Sequence, residues 1–286
     1  MTLKTTWSLT EHLLSTYQKE HQAATQHPFL LAAAEGRLSK DVLGKWLAND
    51  RLYIHSYIRA AGKLLSSLDL PQTVPRNGEA PETQLVDWLI EALGAVRKEE
   101  RLFIDVAHRY KLDVDLGFST ASTGEATSFD RDAKLPGLVM IEDIFSQITQ
   151  SSADQRVQAA RLSDLPTSTL IPWLEGAVTF WGTERCYLDA WSWARAKESL
   201  GGGPKDASED ADGGALRRVF IPNWSSIEFS RFVARLGSLI DFAVLEVLKR
   251  VGEEGAEKAK EEILGRVEGQ WKSLLAAESA FWPTLD

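Results

Sequence analysis

The stretch GKWLANDRLYIHSY, residues 44–57, decides the fold of this chain. It lies in a proline-free segment with an apolar repeat of helical period, which predicts one long helix over about residues 39–68. At about 100° per residue, four of its side chains share one face: Trp46, Asp50, Tyr53 and Tyr57. A carboxylate among aromatic rings on an inward face is costly unless a buried partner or a ligand satisfies it. The sequence leaves both explanations of Asp50 open.

Most of the chain outside this stretch repeats the helical period, and no alternating strand pattern or internal repeat occurs. Ser8 and Glu11 form a capping box for a first helix that is predicted to end near residue 24. Gly36 is predicted to end a short helix, and Ser39 to cap the long one. Further helices are predicted at about 84–110, 137–150, 166–197, 226–251 and 255–282. About eight helices with short turns indicate an all-α bundle.

Two polar segments break the helical pattern. The string STASTGEATS, at 119–128, is typical of a loop or an insertion. The string SLGGGPKDASEDADGG, at 199–214, has the glycine-rich and acidic composition of a disordered surface loop.

Composition narrows the class of protein. The 286 residues can form one large domain or two small ones, and the net charge of −9 disfavours binding to a phosphate backbone. The single cysteine, Cys186, excludes an internal disulfide and a cysteine-based zinc site, and it fits a reducing compartment. No apolar run approaches the ~18 residues of a membrane span, and the start of the chain lacks the pattern of a signal peptide. We therefore expect a cytoplasmic protein with no membrane or nucleic-acid partner.

Two glutamates lie in unusually aromatic surroundings. Glu184 shares a helix face with three rings at i−3, i+3 and i+7: Trp181, Tyr187 and Trp191. Glu278 lies in ESAFW near the end of the chain. Burial in such surroundings raises the pKa of a carboxyl, which makes it suited to general acid–base chemistry near neutral pH. The alternative for Glu184 is an ordinary surface ion pair with Arg185 or Arg195, and the tryptophans are more often core residues than ligand contacts.

The sequence gives little support for a metal site. The five histidines are scattered and form none of the paired carboxylate–histidine motifs of di-iron bundles: His12, His21, His27, His55 and His108. We interpret each as structural and expect neither a metal nor a cofactor.

Three segments share the pattern of one known family: HPFLLAAAEGRLSKDVLGKWLANDRLYIHSYIRA at 27–60, WSSIEFSRFV at 224–233 and ESAFW at 278–282. They resemble the TenA-type thiaminase II family. The resemblance implies the family's all-α, heme-oxygenase-like bundle. It also implies a single TenA-like domain over residues 1–286, with flexible insertions near 119–134 and 199–214.

The resemblance also implies roles for particular residues. Members of the family hydrolyse a C–N bond on an aminopyrimidine derived from thiamin breakdown, for pyrimidine salvage. Asp50 matches the aspartate that hydrogen-bonds the aminopyrimidine ring, and Tyr53 matches the tyrosine beside the substrate. Glu278 matches the glutamate that donates and accepts the proton at the leaving group. Tyr57 and Trp46 share the face of Asp50, and we expect Trp181 or Trp224 to stack on the ring.

The chain departs from the family pattern at the nucleophile and the pocket wall. Val178 stands where the best-studied branch has a nucleophilic cysteine, and we interpret Cys186 as a buried structural thiol. Trp224 and Ile141 stand where the family has tyrosines. A second branch lacks the cysteine and relies on glutamates, and this chain is similar to it. We therefore predict a hydrolase in which Glu278 and Glu184 are catalytic, without a cofactor, acting on a small-molecule substrate.

Two other functions remain open from the sequence. The missing cysteine and altered wall also fit a small-molecule-binding protein, or an enzyme of different chemistry, on the same bundle. A regulator that acts on partner molecules is disfavoured by the acidic charge and by the lack of a DNA-binding motif. The resemblance further suggests a homo-oligomer.

Overall fold

The computed structural model describes residues 7–73, 78–116, 118–119, 128–129, 133–148, 171–198 and 206–285. These residues form an all-α bundle, with one short antiparallel pair, β1 (Phe118–Ser119) and β2 (Ser128–Phe129). The helices are α1 (Leu9–Thr16), α2 (Gln18–Thr25), α3 (Pro28–Ala34), α4 (Lys40–Ser67), α5 (Pro81–Tyr110), α6 (136–148), α7 (Leu174–Glu198), α8 (Ile221–Trp224) and α9 (Ile227–Ser279). A 3-10 turn (Ala207–Glu209) and a π-helix (Leu216–Phe220) precede α8.

The first predicted helix is two helices. The Ser8 hydroxyl accepts a hydrogen bond from the Glu11 amide at 3.1 Å, so the predicted cap is confirmed. Tyr17 then leaves helical geometry, with φ −108° and ψ 34°, and separates α1 from α2. Its buried ring lies under the Lys272 ammonium of α9 at 5.0 Å, which is a tertiary contact that the local pattern does not show.

The predicted boundary between α3 and α4 is confirmed. Gly36 has φ +68°, a left-handed conformation that glycine adopts without strain, and the Arg37 amide reaches back to the Ala32 carbonyl at 2.9 Å. The Ser39 hydroxyl accepts from the Val42 amide at 3.3 Å and starts α4.

Helix α9 also matches its predicted division. The chain is helical from Ile227 to Ser279, but Gly252 interrupts it with φ 71° and ψ 178°. Glycine tolerates this conformation where other residues would be strained. Two helical arms therefore meet where the sequence places the end of one helix and the start of the next.

The predicted flexible loop at 199–214 is partly wrong. Its second half, from residue 206, folds against α3 and the π-helix, and the Ala211 amide donates to the Gly36 carbonyl at 2.9 Å. Asp210 is buried in an ion pair with Arg217, and Asp212 accepts from the amides of Gly214 and Leu216 at 2.7 and 2.8 Å. Specific carboxylate contacts thus order a segment whose composition suggests coil. Residues 199–205, most of the insertion predicted at 119–134 and the helix start predicted at 166 lie outside the described residues.

Helix α7 lies at the centre of the bundle. It packs chiefly against α9 and also against α2, α3 and α8, while α4 packs against α5. Most of its residues are buried, so it lacks the polar face of a surface helix. This arrangement brings the inner faces of α4, α5, α7 and the end of α9 together. Among the described residues, no helix is both long and apolar enough to cross a membrane.

Candidate active site

The inward face of α4 forms one wall of the site. Asp50, Tyr53 and Tyr57 are all buried, and Asp50 is only 4% exposed. They lie on one face because the helical period brings residues three, four and seven positions apart together. The predicted grouping of these three side chains is what the structure shows.

Asp50 and three further carboxyl groups, each from a different helix, lie at this site. Each of the four accepts a hydrogen bond from an aromatic side chain. The Tyr187 hydroxyl donates to Asp50 Oδ2 at 2.8 Å, and the Tyr57 hydroxyl donates to Glu184 Oε1 at 2.6 Å. The Tyr53 hydroxyl donates to Glu278 Oε1 at 3.1 Å, and the Trp224 indole N–H donates to Glu99 Oε1. We call Asp50, Glu99, Glu184 and Glu278 the acid cluster.

The acid cluster has no cationic partner within the described part of the chain. Its hydrogen bonds come from phenol and indole groups, and no lysine, arginine or histidine of the described residues forms an ion pair with it. Burying several acids without a counter-charge is unfavourable unless they take up protons or a ligand supplies positive charge. The alternative of a surface ion pair between Glu184 and Arg185 or Arg195 is wrong. Arg185 pairs with Asp189 at 2.7 Å, and the Arg195 guanidinium donates to the Ser225 hydroxyl at 3.2 Å.

Burial raises the pKa of every member of the cluster. The pKa of Glu184 and that of Glu278 rise to about 8, and that of Glu99 rises to about 7. The pKa of Asp50 lies well above its ordinary value, because of burial first and the nearby Glu99 charge second. Burial also raises the pKa of Tyr53, Tyr57 and Tyr187 well above 10, so these phenols stay protonated as donors. Near neutral pH the carboxyls can therefore give and take protons.

A small cavity of about 40 Å³ opens between α4, α5 and α7. Three acids and three phenols line it, together with a hydroxyl and two aliphatic side chains: Asp50, Glu99, Glu184, Tyr53, Tyr57, Tyr187, Thr183, Ile54 and Val96. Glu278 is not part of this lining and is 2% exposed. Tyr53 lines the cavity and also hydrogen-bonds Glu278, so it is the residue that connects Glu278 to the cavity.

The predicted tryptophans do not line this cavity. Trp46 is fully buried in a cluster of rings and stacks on Trp282 at 5.7 Å. Trp181 stacks on Trp271 at 5.4 Å, and its indole nitrogen faces Gly237 of α9. Trp224 contacts the site through its hydrogen bond to Glu99 rather than through a free ring face. The structure thus gives Trp46 and Trp181 core positions and gives Trp224 a supporting one.

Sequence reasoning missed Glu99, Tyr187 and Thr183 as site residues. Glu99 had a visible signal, since it lies at i+3 from Val96 within the apolar stripe of α5. Tyr187 likewise shares a helix face with Glu184. The Thr183 hydroxyl donates to the Phe180 carbonyl at 2.9 Å, and such a back-bonded threonine has no distinct sequence signal.

The positions that depart from the family pattern are buried. Val178 is 1% exposed and Ile141 is fully buried, so both pack in the core. Cys186 is buried, and burial raises the pKa of its thiol well above the ordinary value, which disfavours a thiolate nucleophile. In the described ranges, no group of three or more His, Cys, Asp or Glu side chains is arranged to hold a metal ion.

A family model matches the first half of the chain. Residues 15–151, which include the Asp50–Tyr53 stretch and make up just under half of the chain, match the model of the TENA/THI-4/PQQC family. This match confirms the TenA-type resemblance.

Solved TenA structures share the fold. A TenA homologue from Pyrococcus furiosus aligns with a TM-score of 0.56 at 19% identity, over 96% of this chain and 97% of that one. A TenA homologue from P. horikoshii OT3 gives 0.56 at 14%, over 96% and 99%. A TenA family transcription regulator from Silicibacter sp. TM1040 gives 0.55 at 12%, over 96% and 94%. At these identities the likeness shows the fold, and the predicted all-α, heme-oxygenase-like bundle is confirmed.

A curated relative bears a different kind of name. A protein of Fusarium pseudograminearum (strain CS3096), named "Probable transcription factor", is 28% identical over 259 residues, which cover 82% of this chain and 45% of that protein. The chain therefore spans less than half the length of that relative.

Proposed function

We propose that this chain hydrolyses a C–N bond of an amino-substituted pyrimidine, or of a closely related nitrogen heteroaromatic, without a cysteine nucleophile. The observation that carries the proposal is the acid cluster, which combines raised carboxyl pKa values with a cavity that three of its members line. The match to the TENA/THI-4/PQQC family supports the class of reaction, and the acid cluster supplies the residues for it.

The cavity has the acceptors that an amine-bearing ring requires. Asp50, Glu99 and Glu184 each use one carboxyl oxygen for an aromatic donor. Their second oxygens have no hydrogen-bond partner among the residues that the structure describes, which leaves acceptors for the N–H groups of a ligand. A protonated ring or amine would also supply the positive charge that the cluster lacks.

Asp50 is the residue that we assign to the ring. Tyr187 holds its carboxyl from the α7 side at 2.8 Å, which fixes the orientation of the remaining oxygen. A carboxyl held in this way can accept a ring N–H with little loss of side-chain entropy. Ile54 and Val96 supply the apolar contact on the cavity wall.

Glu278 is the proton donor and acceptor in this proposal, and Tyr53 connects it to the substrate. In the first half of the reaction Glu278 is protonated, so its O–H donates to the Tyr53 hydroxyl, and the phenol passes its own proton to the leaving nitrogen as it receives one from Glu278. The electron pair of the C–N bond goes to the nitrogen, which leaves as a neutral amine, and the exocyclic carbon of the ring substituent becomes electron-deficient. In the second half, water adds to that carbon to form the C–O bond, and its proton passes through Tyr53 back to Glu278. Glu184, held by Tyr57, is the second carboxyl on the cavity.

The size of the cavity adds a requirement. A volume of about 40 Å³ is far below the ~300 Å³ typical of small-molecule sites, so a pyrimidine ring enters only when side chains of the wall move. Ligand binding and side-chain rearrangement are therefore coupled in this proposal.

Mass spectrometry in ¹⁸O-labelled water tests the proposed reaction directly. The protein is incubated with aminomethyl- and formylaminomethyl-substituted aminopyrimidines. The mass of the product then shows whether one ¹⁸O atom has been incorporated. We expect a labelled hydroxymethyl pyrimidine from the wild type and a large loss of product in Asp50→Asn. Tight binding of these compounds without any product would instead favour the alternative of a binding protein.

A further inference from the structure

Glu99 occupies the cavity from a helix that contributes no other acid to the cluster. It projects from α5 beside Val96, whereas Asp50 comes from α4 and Glu184 from α7. Its Oε1 accepts the Trp224 indole N–H, and its Oε2 has no partner within the described ranges. Its charge is also the strongest charged influence on Asp50, so the two carboxyls lie within electrostatic reach of each other.

Trp224 is held rigidly for this contact. Its ring stacks on Phe220 at 4.7 Å and 12°, and packs edge-on against Tyr187 at 5.2 Å and against Phe103 at 6.0 Å. The π-helix at Leu216–Phe220 leads directly into the short helix that carries Trp224. Such π-helical turns place side chains that a regular helix would not. An indole donates one hydrogen bond and accepts none, so this contact fixes Glu99 as an acceptor.

We propose that Glu99 is a second ligand-recognition carboxyl, positioned by Trp224, and that the ligand carries two separate N–H groups, one bound by Asp50 and the other by Glu99. The proposal rests on the proposed function and adds a second recognition residue for the amino-substituted ring. Glu99 binds ligand in this account, and Trp224 is a positioning residue that acts through it.

The geometry favours recognition over a purely structural role. A structural carboxyl in a core normally has both oxygens satisfied, as Glu175 has with the Arg266 guanidinium at 2.5 and 2.8 Å. Glu99 has one satisfied oxygen and lines the cavity with part of its surface exposed. Two acceptors on different helices would discriminate between rings that differ by one amino group, because an unpaired buried carboxylate is costly.

The proposal is tested by removing one ligand amino group and one side chain at a time and comparing the dissociation constants. The ligands are an aminopyrimidine with an aminomethyl group and two analogues, one without the ring amino group and one with a methyl group in place of the aminomethyl group. Dissociation constants are measured by calorimetry at about pH 8, above the pKa of Glu99 of about 7. Glu278→Gln is the common background, which suppresses turnover. Asp50→Asn, Glu99→Gln and Trp224→Phe are then compared in it.

We expect Glu99→Gln to weaken binding of the diamine about tenfold or more, as the loss of a hydrogen bond to a charged group does. It should leave binding of one analogue unchanged, which identifies the amino group that Glu99 binds. Asp50→Asn should also weaken binding of the diamine, but it should leave binding of the other analogue unchanged. Trp224→Phe should weaken binding of the same ligands as Glu99→Gln, by a smaller factor. Glu100→Gln is the matched control, since Glu100 is the neighbouring buried acid but pairs with His55 at 2.7 Å, outside the cavity lining.

Two results would overturn the inference, and they are distinguishable. If the wild type binds and hydrolyses the diamine but Glu99→Gln weakens all three ligands equally or none, the second recognition carboxyl is wrong while the proposed function stands. If neither the wild type nor the Glu278→Gln background binds any of the three ligands, the proposed function fails and the inference fails with it. Thermal melting of each variant shows that the comparison is made on folded protein.

Discussion

The Tyr53 hydroxyl donates to Glu278 Oε1 at 3.1 Å, and Tyr53 rather than Glu278 lines the cavity. Glu278, the glutamate assigned to proton transfer, therefore reaches the ligand cavity only through Tyr53. Burial holds the pKa of Tyr53 well above 10, so the phenol can pass a proton on but is not a stable anion.

This relationship predicts the effect of Tyr53→Phe. The variant keeps the ring and its contact with Phe281 at 5.5 Å but loses the hydroxyl that connects Glu278 to the cavity. We expect kcat on an accepted pyrimidine substrate to fall by about 10²–10⁴, the usual range for a lost acid–base group, with a small change in ligand affinity. Steady-state kinetics and calorimetry measure the two effects.

Tyr110→Phe is the control for this change, since Tyr110 is partly buried at the end of α5 and outside the cavity lining. A kcat of Tyr53→Phe within about twofold of the wild type would mean that Glu278 reaches the substrate without the phenol.

The raised carboxyl pKa values predict that stability falls as pH rises. Glu184 and Glu278 have pKa values of about 8 in the folded state against 4.5 ordinarily, so the folded chain binds more protons than the unfolded chain between these values. The free energy of unfolding therefore falls with rising pH in this window. His27 and His55 act in the opposite direction below pH 6.5, because burial lowers the pKa of each. The fall should thus be clearest from pH 6.5 to about 8.

Urea unfolding across that window measures this dependence. We expect Glu184→Gln to flatten the slope, because one titrating group is removed, and Glu91→Gln, at an exposed ion pair with Arg235, to leave it unchanged. Stability that increases from pH 6.5 to about 8 in the wild type would contradict the pKa assignments.

Gly137 joins the start of α6 to the end of α9 near Glu278. A Cβ at this position would lie 2.3 Å from the Phe281 amide nitrogen and 2.4 Å from the Ala277 carbonyl oxygen. Because both are backbone atoms, we expect Gly137→Ala to destabilise the fold by about 1–3 kcal/mol, measured by urea unfolding. The shift should also disturb Glu278 and lower turnover.

Gly94→Ala provides the comparison, because nothing lies within 4 Å of a Cβ placed there on the exposed side of α5. It should stabilise the chain by about 0.5–1 kcal/mol. Equal changes in the free energy of unfolding for the two alanine substitutions would contradict the close contact between Gly137 of α6 and the end of α9.

The sequence predicted the helices well because their signals are local. Caps at Ser8 and Ser39 and the left-handed turn at Gly36 need only neighbouring residues, and the structure has each of them. The order at 206–214 depends instead on Asp210 and Asp212 binding partners in the π-helix region, and composition does not reveal such contacts.

The site was predictable where one helix face decides it. The arc of α4 placed Asp50, Tyr53 and Tyr57 together because that helix has a distinct inner face. Helix α7 is buried nearly all round, so its sequence does not show that Trp181 turns toward Trp271 while Glu184 turns toward the cavity. Glu99, like Asp50, is a carboxylate within the apolar stripe of a helix, here α5. That position was enough to propose it as a site residue from the sequence.

Ammonia release is the most direct measurement of the central claim, that the acid cluster hydrolyses a C–N bond through Glu278. Ammonia is followed from an aminomethyl-substituted aminopyrimidine with the wild type and with Glu278→Gln. Glutamine keeps the shape of the side chain and can still accept the Tyr53 hydrogen bond, but it cannot give or take a proton. We predict steady release by the wild type and a rate at least about 10² lower in the variant. Equal release by the two proteins would contradict the account.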